Sequence, residues 1–346
     1  MLRIFTIAVL AFVVMWQAPY GQAVSDHFKD GRFFNPWGVH LDHGFTDFLK
    51  WQFSGQAAKW PESVENLGIP EVSNNVPEGH MVVTFVNHST FLVQLPGINI
   101  LTDPVWSERV SPVSWTGPKR VRVPGLAWHH LPKIHVVLIS HNHYDHLDLP
   151  TLHRLYERDR PLFMVGLGVK KFLEDEGLKR VIDRDWWEAS EIKIGDKQIK
   201  VTFVPAQHFS GRSLWDRNAT LWGGFVVESD AGRFYHAGDS GYAPHFKDIG
   251  TRFPSLDLAM LPIGAYEPRW FMKMAHVNPE EAVQAHLDLG AKQSVGMHFG
   301  TFQLTDESID DPIHETIRHI RERNIDPNDF KIPQFGETFI VKRKDL

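Results

Sequence analysis

From residue 80 onward the chain is a series of short apolar runs separated by turns and amphipathic stretches. Met81–Val86, Thr90–Leu95, Ile98–Leu101, Ile134–Ser140 and Leu162–Val165 read as strands, as do Ile199–Val204, Gly223–Glu228, Arg233–His236, Leu256–Pro262 and Ser294–Met297. Helical spacing occurs at Leu149–Arg158, Gly168–Glu176, Pro279–Leu289 and Pro312–Arg323. The third of these has start chemistry: Asn278 as N-cap, Pro279 at the first helical position and Glu281 three residues after the cap. Early hairpin-like strands followed by alternating strands and helices predict an α/β protein with layered sheets.

The region before residue 76 is different. Arg3 precedes an apolar run, Ile4 to Trp16, interrupted only by Thr6, then a small-residue pattern, Gly21-Gln22-Ala23. About a dozen apolar residues suit a signal-peptide core and fall short of the roughly 20 that span a bilayer. Cleavage after Ala23 is the preferred reading and an uncleaved anchor the alternative; either way the body is exported, to the periplasmic side in a bacterium. Residues 24–75 are rich in aromatics, among them Phe28, Phe33, Phe34, Trp37, Phe45, Phe48, Trp51, Phe53 and Trp60, with one short helix expected around Phe45, Phe48 and Leu49. This segment is expected to wrap the main domain of residues 76–346 with its aromatics inward, or else to meet a membrane surface.

Composition narrows the chemistry. The chain has 346 residues, 42% of them hydrophobic and 23% charged, as in a soluble globular protein, and its formal net charge of −6 does not suit a nucleic-acid partner. It contains no Cys, so any metal must be held by His and carboxylates; its 20 His invite a search for clusters.

The densest cluster follows the run Val136-Val137-Leu138-Ile139-Ser140: His141-Asn142-His143-Tyr144-Asp145-His146. A loop leaving a buried strand directs alternate side chains into one cleft, where imidazole and carboxylate can hold a zinc-type ion in a site open to water. Three later elements repeat the arrangement. Val201–Val204 leads to His208, Phe234-Tyr235-His236 to Gly238-Asp239, and Ser294–Met297 to His298. Strand ends are where α/β proteins build sites, so these residues are expected to converge. Each alone would be an ordinary core or surface residue.

The motif His141–His146 with His208, Asp239 and His298, in that order, resembles the metallo-β-lactamase superfamily. A narrower resemblance, spanning roughly residues 80–345, is to the N-acylphosphatidylethanolamine-hydrolysing phospholipase D group. It rests on Leu101-Thr102-Asp103-Pro104, Gly117-Pro118-Lys119-Arg120, Ile139 to Asp148, Asp185-Trp186-Trp187, Gly238 to Tyr242, Ile263 to Met272, His276 to Ala282 and His298 to Phe302. The resemblance implies an αβ/βα four-layer sandwich with two zinc ions. His141, His143 and His208 would hold one and Asp145, His146 and His298 the other, with Asp239 bridging and Asp103 orienting a ligand His. It implies hydrolysis of N-acylphosphatidylethanolamine to phosphatidic acid and an N-acylethanolamine, a phospholipid partner and a homodimer. A shared water activated to pKa about 7 would attack phosphorus, with Asp145 orienting it and His276 assisting the leaving oxygen.

Other readings stay open. They are a hydrolase of another ester, a lactone or a small phosphodiester, a zinc-binding envelope protein without turnover, and a redox diiron protein of this fold. A β-lactamase is disfavoured, since Asp145 and His146 without Cys depart from the usual lactamase second site. Gly238-Asp239-Ser240-Gly241 resembles a serine-protease nucleophile motif but breaks at Tyr242. Lys119, Arg120 and Arg122 are read as a solvated basic face, with a lipid phosphate as the alternative. Tyr266, Glu267, Arg269 and Trp270 are candidates for the substrate groove.

Overall fold

A computed structural model describes residues 25–37, 45–52, 55, 57–68, 70–73, 75–213 and 215–343. The apolar run and cleavage pattern before Ser25 lie outside the described residues. Among those described, no helix is long and apolar enough to cross a membrane.

The chain opens with a two-stranded hairpin, β1 (Phe28–Lys29) and β2 (Arg32–Phe33), and α1 (Phe45–Gln52). The first half of the body is β3 (His80–Asn87), β4 (Thr90–Leu95), β5 (Ile98–Thr102), β6 (Val136–Leu138), α2 (Leu149–Asp159), β7 (Leu162–Gly166), α3 (Val169–Asp175) and β8 (Val181–Arg184). The second half is β9 (Ala189–Ile194), β10 (Lys197–Val204), β11 (Gly224–Ser229), β12 (Gly232–His236), α4 (His245–Arg252), β13 (Leu258–Pro262), α5 (Arg269–Met272), α6 (Pro279–Leu289), β14 (Ser294–Met297), α7 (Asp311–Glu322) and β15 (Phe330–Lys331). A last strand, β16 (Thr338–Lys342), returns to the first sheet and pairs antiparallel with β3.

Two seven-stranded mixed sheets result, in the orders β16-β3-β4-β5-β6-β7-β8 and β15-β14-β13-β12-β11-β10-β9. The pleat of β6 shows how the layers are assembled. Val136 and Leu138 enter the core between the sheets, against residues such as Phe203, Phe225 and Met260. Val137 and Ile139 face the other way, into a second core built with Leu152 and Leu155 of α2 and Val169 and Leu173 of α3. Each fully buried aliphatic side chain contributes about 1.5–3 kcal/mol. On the far side, α6 packs against α4 and α7 and covers β13. The order helix, sheet, sheet, helix is the four-layer α/β sandwich expected from the sequence.

All ten strands expected from apolar runs are present, with corrected bounds. The run Ile134–Ser140 contributes only Val136–Leu138 to the ladder, because the Ser140 N–H turns to the Asp103 carboxylate (2.8 Å). The run Leu256–Pro262 starts at Leu258, since Asp257 uses its side chain to accept from Arg233 N (2.9 Å). The last helix lies one residue earlier than expected, at Asp311–Glu322. The capping box of α6 is complete: Asn278 accepts from Glu281 N at 2.9 Å, and Glu281 accepts from Asn278 N at 3.1 Å.

Of the aromatic N-terminal segment, the described side chains are held by the body. Phe33 is buried, Phe28 and Trp37 pack on the inter-sheet core, Trp51 stacks on Phe271, and Trp60 donates to the Glu307 carbonyl. Phe34 is partly exposed. Of the three basic residues Lys119, Arg120 and Arg122, only Lys119 is solvated. Arg120 is buried and donates to the carbonyls of Ser107, Arg122 and Val105; Arg122 donates to those of Gly300 and Glu65. These guanidiniums satisfy loop carbonyls that no ladder reaches. Lys119 pairs with Glu108 on the surface.

Candidate metal centre

Every cluster residue expected from the sequence sits at one edge of the sandwich, just past a strand. The loop after β6 carries His141, His143, Asp145 and His146; His208 follows β10, Asp239 follows β12 and His298 follows β14. The backbone there is tightly constrained. Gly238 has φ 61°, and a Cβ on it would lie 2.6 Å from the Ser140 Cβ, so only glycine admits the turn that delivers Asp239. His88, Asp103 and His298 also have left-handed φ of 46°, 35° and 61°. Such non-glycine conformations cost about 1–3 kcal/mol each and persist where surrounding structure enforces them, commonly at functional sites.

The geometry falls into two groups around one carboxylate. His141 Nε2 and His208 Nε2 lie 2.8 and 3.3 Å from His143 Nδ1. Asp145 Oδ2 lies 3.3 Å from His146 Nε2 and 3.4 Å from His298 Nε2. Asp239 Oδ2 stands between them, 3.1 Å from His298, 3.2 Å from His146, 3.8 Å from His208 and 3.9 Å from both His141 and His276. Asp103 lies behind the cluster. Its Oδ2 accepts from His146 Nδ1 at 2.8 Å and from Ser140 Oγ at 2.7 Å.

These residues fit a bound cation. His146 Nε2, His298 Nε2 and Asp239 Oδ1 are buried and make no hydrogen bond among the described residues, a costly state for polar atoms unless something coordinates them. Burial, with the neighbouring imidazoles, holds His141 and His208 well below the usual histidine range, and burial brings His143 down to about 4. These three rings are therefore neutral, as a metal ligand must be. Burial alone would raise Asp145 and Asp239. The surrounding histidines, His146 foremost, overcome it and keep both carboxylates ionised.

His276 sits at the rim. Burial lowers its pKa to about 4, so in the resting protein it offers a neutral N–H donor rather than a cation. Arg269 does not face a groove: it is locked between the His276 carbonyl (2.9 Å) and Glu281 (2.7 Å). Trp270 is half exposed beneath Lys50. Tyr266 and Glu267 line a cavity of about 520 Å³ shared with Glu280, Glu307 and Asp311. Its carboxylates suit a cationic group better than a phosphate.

Two residues at the site were missed from the sequence. His88, in the β3–β4 turn, places Nε2 2.9 Å from Asp145 Oδ2. Its signal was the one used elsewhere, a metal-capable side chain directly after an apolar strand. Asn35, in the N-terminal arm, donates to the His208 carbonyl at 2.9 Å across 173 residues, and no local pattern announces it.

A family model described as a β-lactamase superfamily domain matches residues 98–299, more than half of the chain. The chain belongs to this superfamily. It is 41% identical over 234 residues to N-acyl-phosphatidylethanolamine-hydrolyzing phospholipase D 1 of Caenorhabditis elegans, a match covering 66% of each protein. It is 37% identical over 304 residues to an uncharacterized protein of Mycobacterium bovis, covering 85% of this chain and 79% of the relative. The fold is similar to that of Igni18, a metallo hydrolase from Ignicoccus hospitalis, with a TM-score of 0.57 and 22% identity over 77% of this chain and all of the other. The protein is thus a metal-dependent hydrolase of the metallo-β-lactamase fold, similar to the phospholipase D group. Its His and Asp cluster has the composition and closeness to bind metal.

Proposed function

We propose that this superfamily member is a dinuclear zinc phosphodiesterase that hydrolyses N-acylphosphatidylethanolamine to phosphatidic acid and an N-acylethanolamine. The observation that carries the reading is the buried Asp239 carboxylate set between two histidine groups. His141, His143 and His208 would hold one ion, and Asp145, His146 and His298 the other. The similarity to the nematode enzyme supports the substrate.

Bound zinc would supply hydroxide at neutral pH and offset charge growing on the phosphoryl oxygens. The chain's own residues do the rest. Asp103 holds a proton on His146 Nδ1, so that Nε2 is the nitrogen that would give up its proton to a bound ion. His208 is oriented in the same way by the Ala275 carbonyl, at 2.9 Å from Nδ1. His276 presents its N–H at the mouth and donates to the leaving oxygen. The apolar run before residue 24 supports export to the periplasmic side of the membrane, where phospholipid is at hand.

The test is direct. Zinc-loaded protein is incubated with N-acylphosphatidylethanolamine in mixed micelles and both products are quantified by mass spectrometry, with Asp239→Asn and a chelated sample as controls. Both products from the wild type alone support the reading. A metallated wild type that makes neither product refutes the lipid substrate and turns the search to lactones and small phosphodiesters.

A further inference from the structure

Building on the dinuclear reading above, we propose that His88 is a positioning residue for the second cation. Its Nε2–H holds Asp145 Oδ2, the carboxylate oxygen that faces His146 and His298, and so fixes the orientation in which Asp145 meets the ion. The argument begins with the hydrogen bond. His88 Nε2 lies 2.9 Å from Asp145 Oδ2, and a carboxylate oxygen facing a ring nitrogen at this distance accepts, so Nε2 carries the proton. The other ring nitrogen, Nδ1, is buried and has no hydrogen-bond partner among the described residues. The ring therefore has one polar interaction, and it is directed at a candidate ligand.

The placement of that ring is determined by three loops together. The His88 N–H donates to Thr301 Oγ1 at 3.0 Å, and its carbonyl accepts from His298 N at 2.8 Å. Its ring packs 4.0 Å from the His298 ring and meets the edge of Phe302 at 5.4 Å. The backbone is in the left-handed region, which aims the ring inward from a turn that an asparagine or glycine would fill more easily. The β3–β4 turn, the His141–His146 loop and the loop after β14 are thereby tied into one unit. Nothing on the first cation's side, at His141, His143 and His208, touches His88 directly through a hydrogen bond or ring contact among the described residues. The effect of losing it is therefore confined to one of the two ions.

The experiment is a metal titration rather than an activity assay. Metal-free wild type, His88→Ala and His88→Gln are titrated with Zn²⁺ against a chromophoric chelator, and bound zinc is counted by elemental analysis after dialysis. Thermal melts check that each variant is folded. Wild type is expected to take up two ions. His88→Ala should keep the first ion and bind the second about 10–100-fold more weakly, the usual effect of removing an outer-shell partner. His88→Gln carries an amide N–H at the same number of bonds from the backbone and should restore most of the affinity. Unchanged second-ion affinity in His88→Ala overturns the proposal. So does a His88→Gln variant as weak as His88→Ala, since that marks His88 as a ligand rather than a donor. If His88→Ala does not fold, His88→Gln with a wild-type second step supports the proposal and a lost second step overturns it. A wild type that binds no second ion fails earlier, at the dinuclear reading itself.

Discussion

Asp103→Asn tests whether the buried carboxylate behind the cluster sets the protonation of His146. Asp103 is fully buried and accepts three hydrogen bonds: Oδ1 from Ser140 N at 2.8 Å, and Oδ2 from Ser140 Oγ at 2.7 Å and from His146 Nδ1 at 2.8 Å. Asparagine has the same shape and only one acceptor oxygen. If that oxygen faces Ser140 N, the amide donors face His146, whose ring must then carry its proton on Nε2, the nitrogen needed by the ion. If the oxygen faces His146, the amide group opposes the Ser140 N–H and leaves a buried donor unpaired. The first arrangement costs about 1–3 kcal/mol of binding, a loss of roughly 5- to 150-fold in affinity for the proposed second cation, whereas the second lowers folding stability by a similar amount. The assay is a stepwise zinc titration of metal-free protein against a chelator, with circular dichroism to establish folding. A folded variant whose second step matches wild type would show that His146 does not depend on Asp103.

Three further outcomes are expected. Removing the Asn35 amide with Asn35→Ala leaves the buried His208 carbonyl without its partner from the N-terminal arm and should cost about 1–3 kcal/mol in urea unfolding; an unchanged midpoint would show that the arm does not brace the His208 loop. His245 is fully buried with its pKa lowered to about 3 by desolvation, so the unfolded chain takes up a proton below pH 6.5 while the folded protein does not. Stability from this ring is complete above pH 6.5 and falls by about 1.4 kcal/mol per pH unit between 6.5 and 3, about 2 kcal/mol by pH 5. His245→Gln should flatten the acid limb of stability against pH by that amount, and an unchanged slope would refute the assignment. His276→Ala should lower kcat about 10²- to 10⁴-fold with both metals retained; loss of an ion instead would identify His276 as a ligand.

The ten strands legible as apolar runs are the ten interior strands of the two seven-stranded sheets; those missed are the four edges of these sheets, β8, β9, β15 and β16, and the short pair β1 and β2. The physical reason is burial. An interior strand has neighbours on both sides and layers on both faces, so Met81–Val86 or Leu258–Pro262 must be apolar nearly throughout. An edge strand is covered on one face and alternates instead. In β9, Ser190 and Ile192 point inward while their neighbours are charged or small, and in β16 Phe339 and Val341 are buried beside an exposed Ile340. Helix α4 escaped because a buried histidine, His245, occupies its apolar face.

For the site, the chain by itself determined which side chains can ligate a metal and that each follows a strand. Strand ends gather along one edge of a layered sheet, so the convergence of His141, His143, Asp145, His146, His208, Asp239 and His298 was readable from spacing alone. Tertiary structure decided what surrounds them. Asn35 reaches His208 across 173 residues and His88 reaches Asp145 across 57, contacts that depend on the register of distant segments. The same holds for Arg120 and Arg122, whose charge suggested solvent or phosphate until loop carbonyls with no ladder partner claimed them. A ligand is recognised by its own chemistry, whereas its support is defined by whatever polar group the fold leaves unsatisfied beside it.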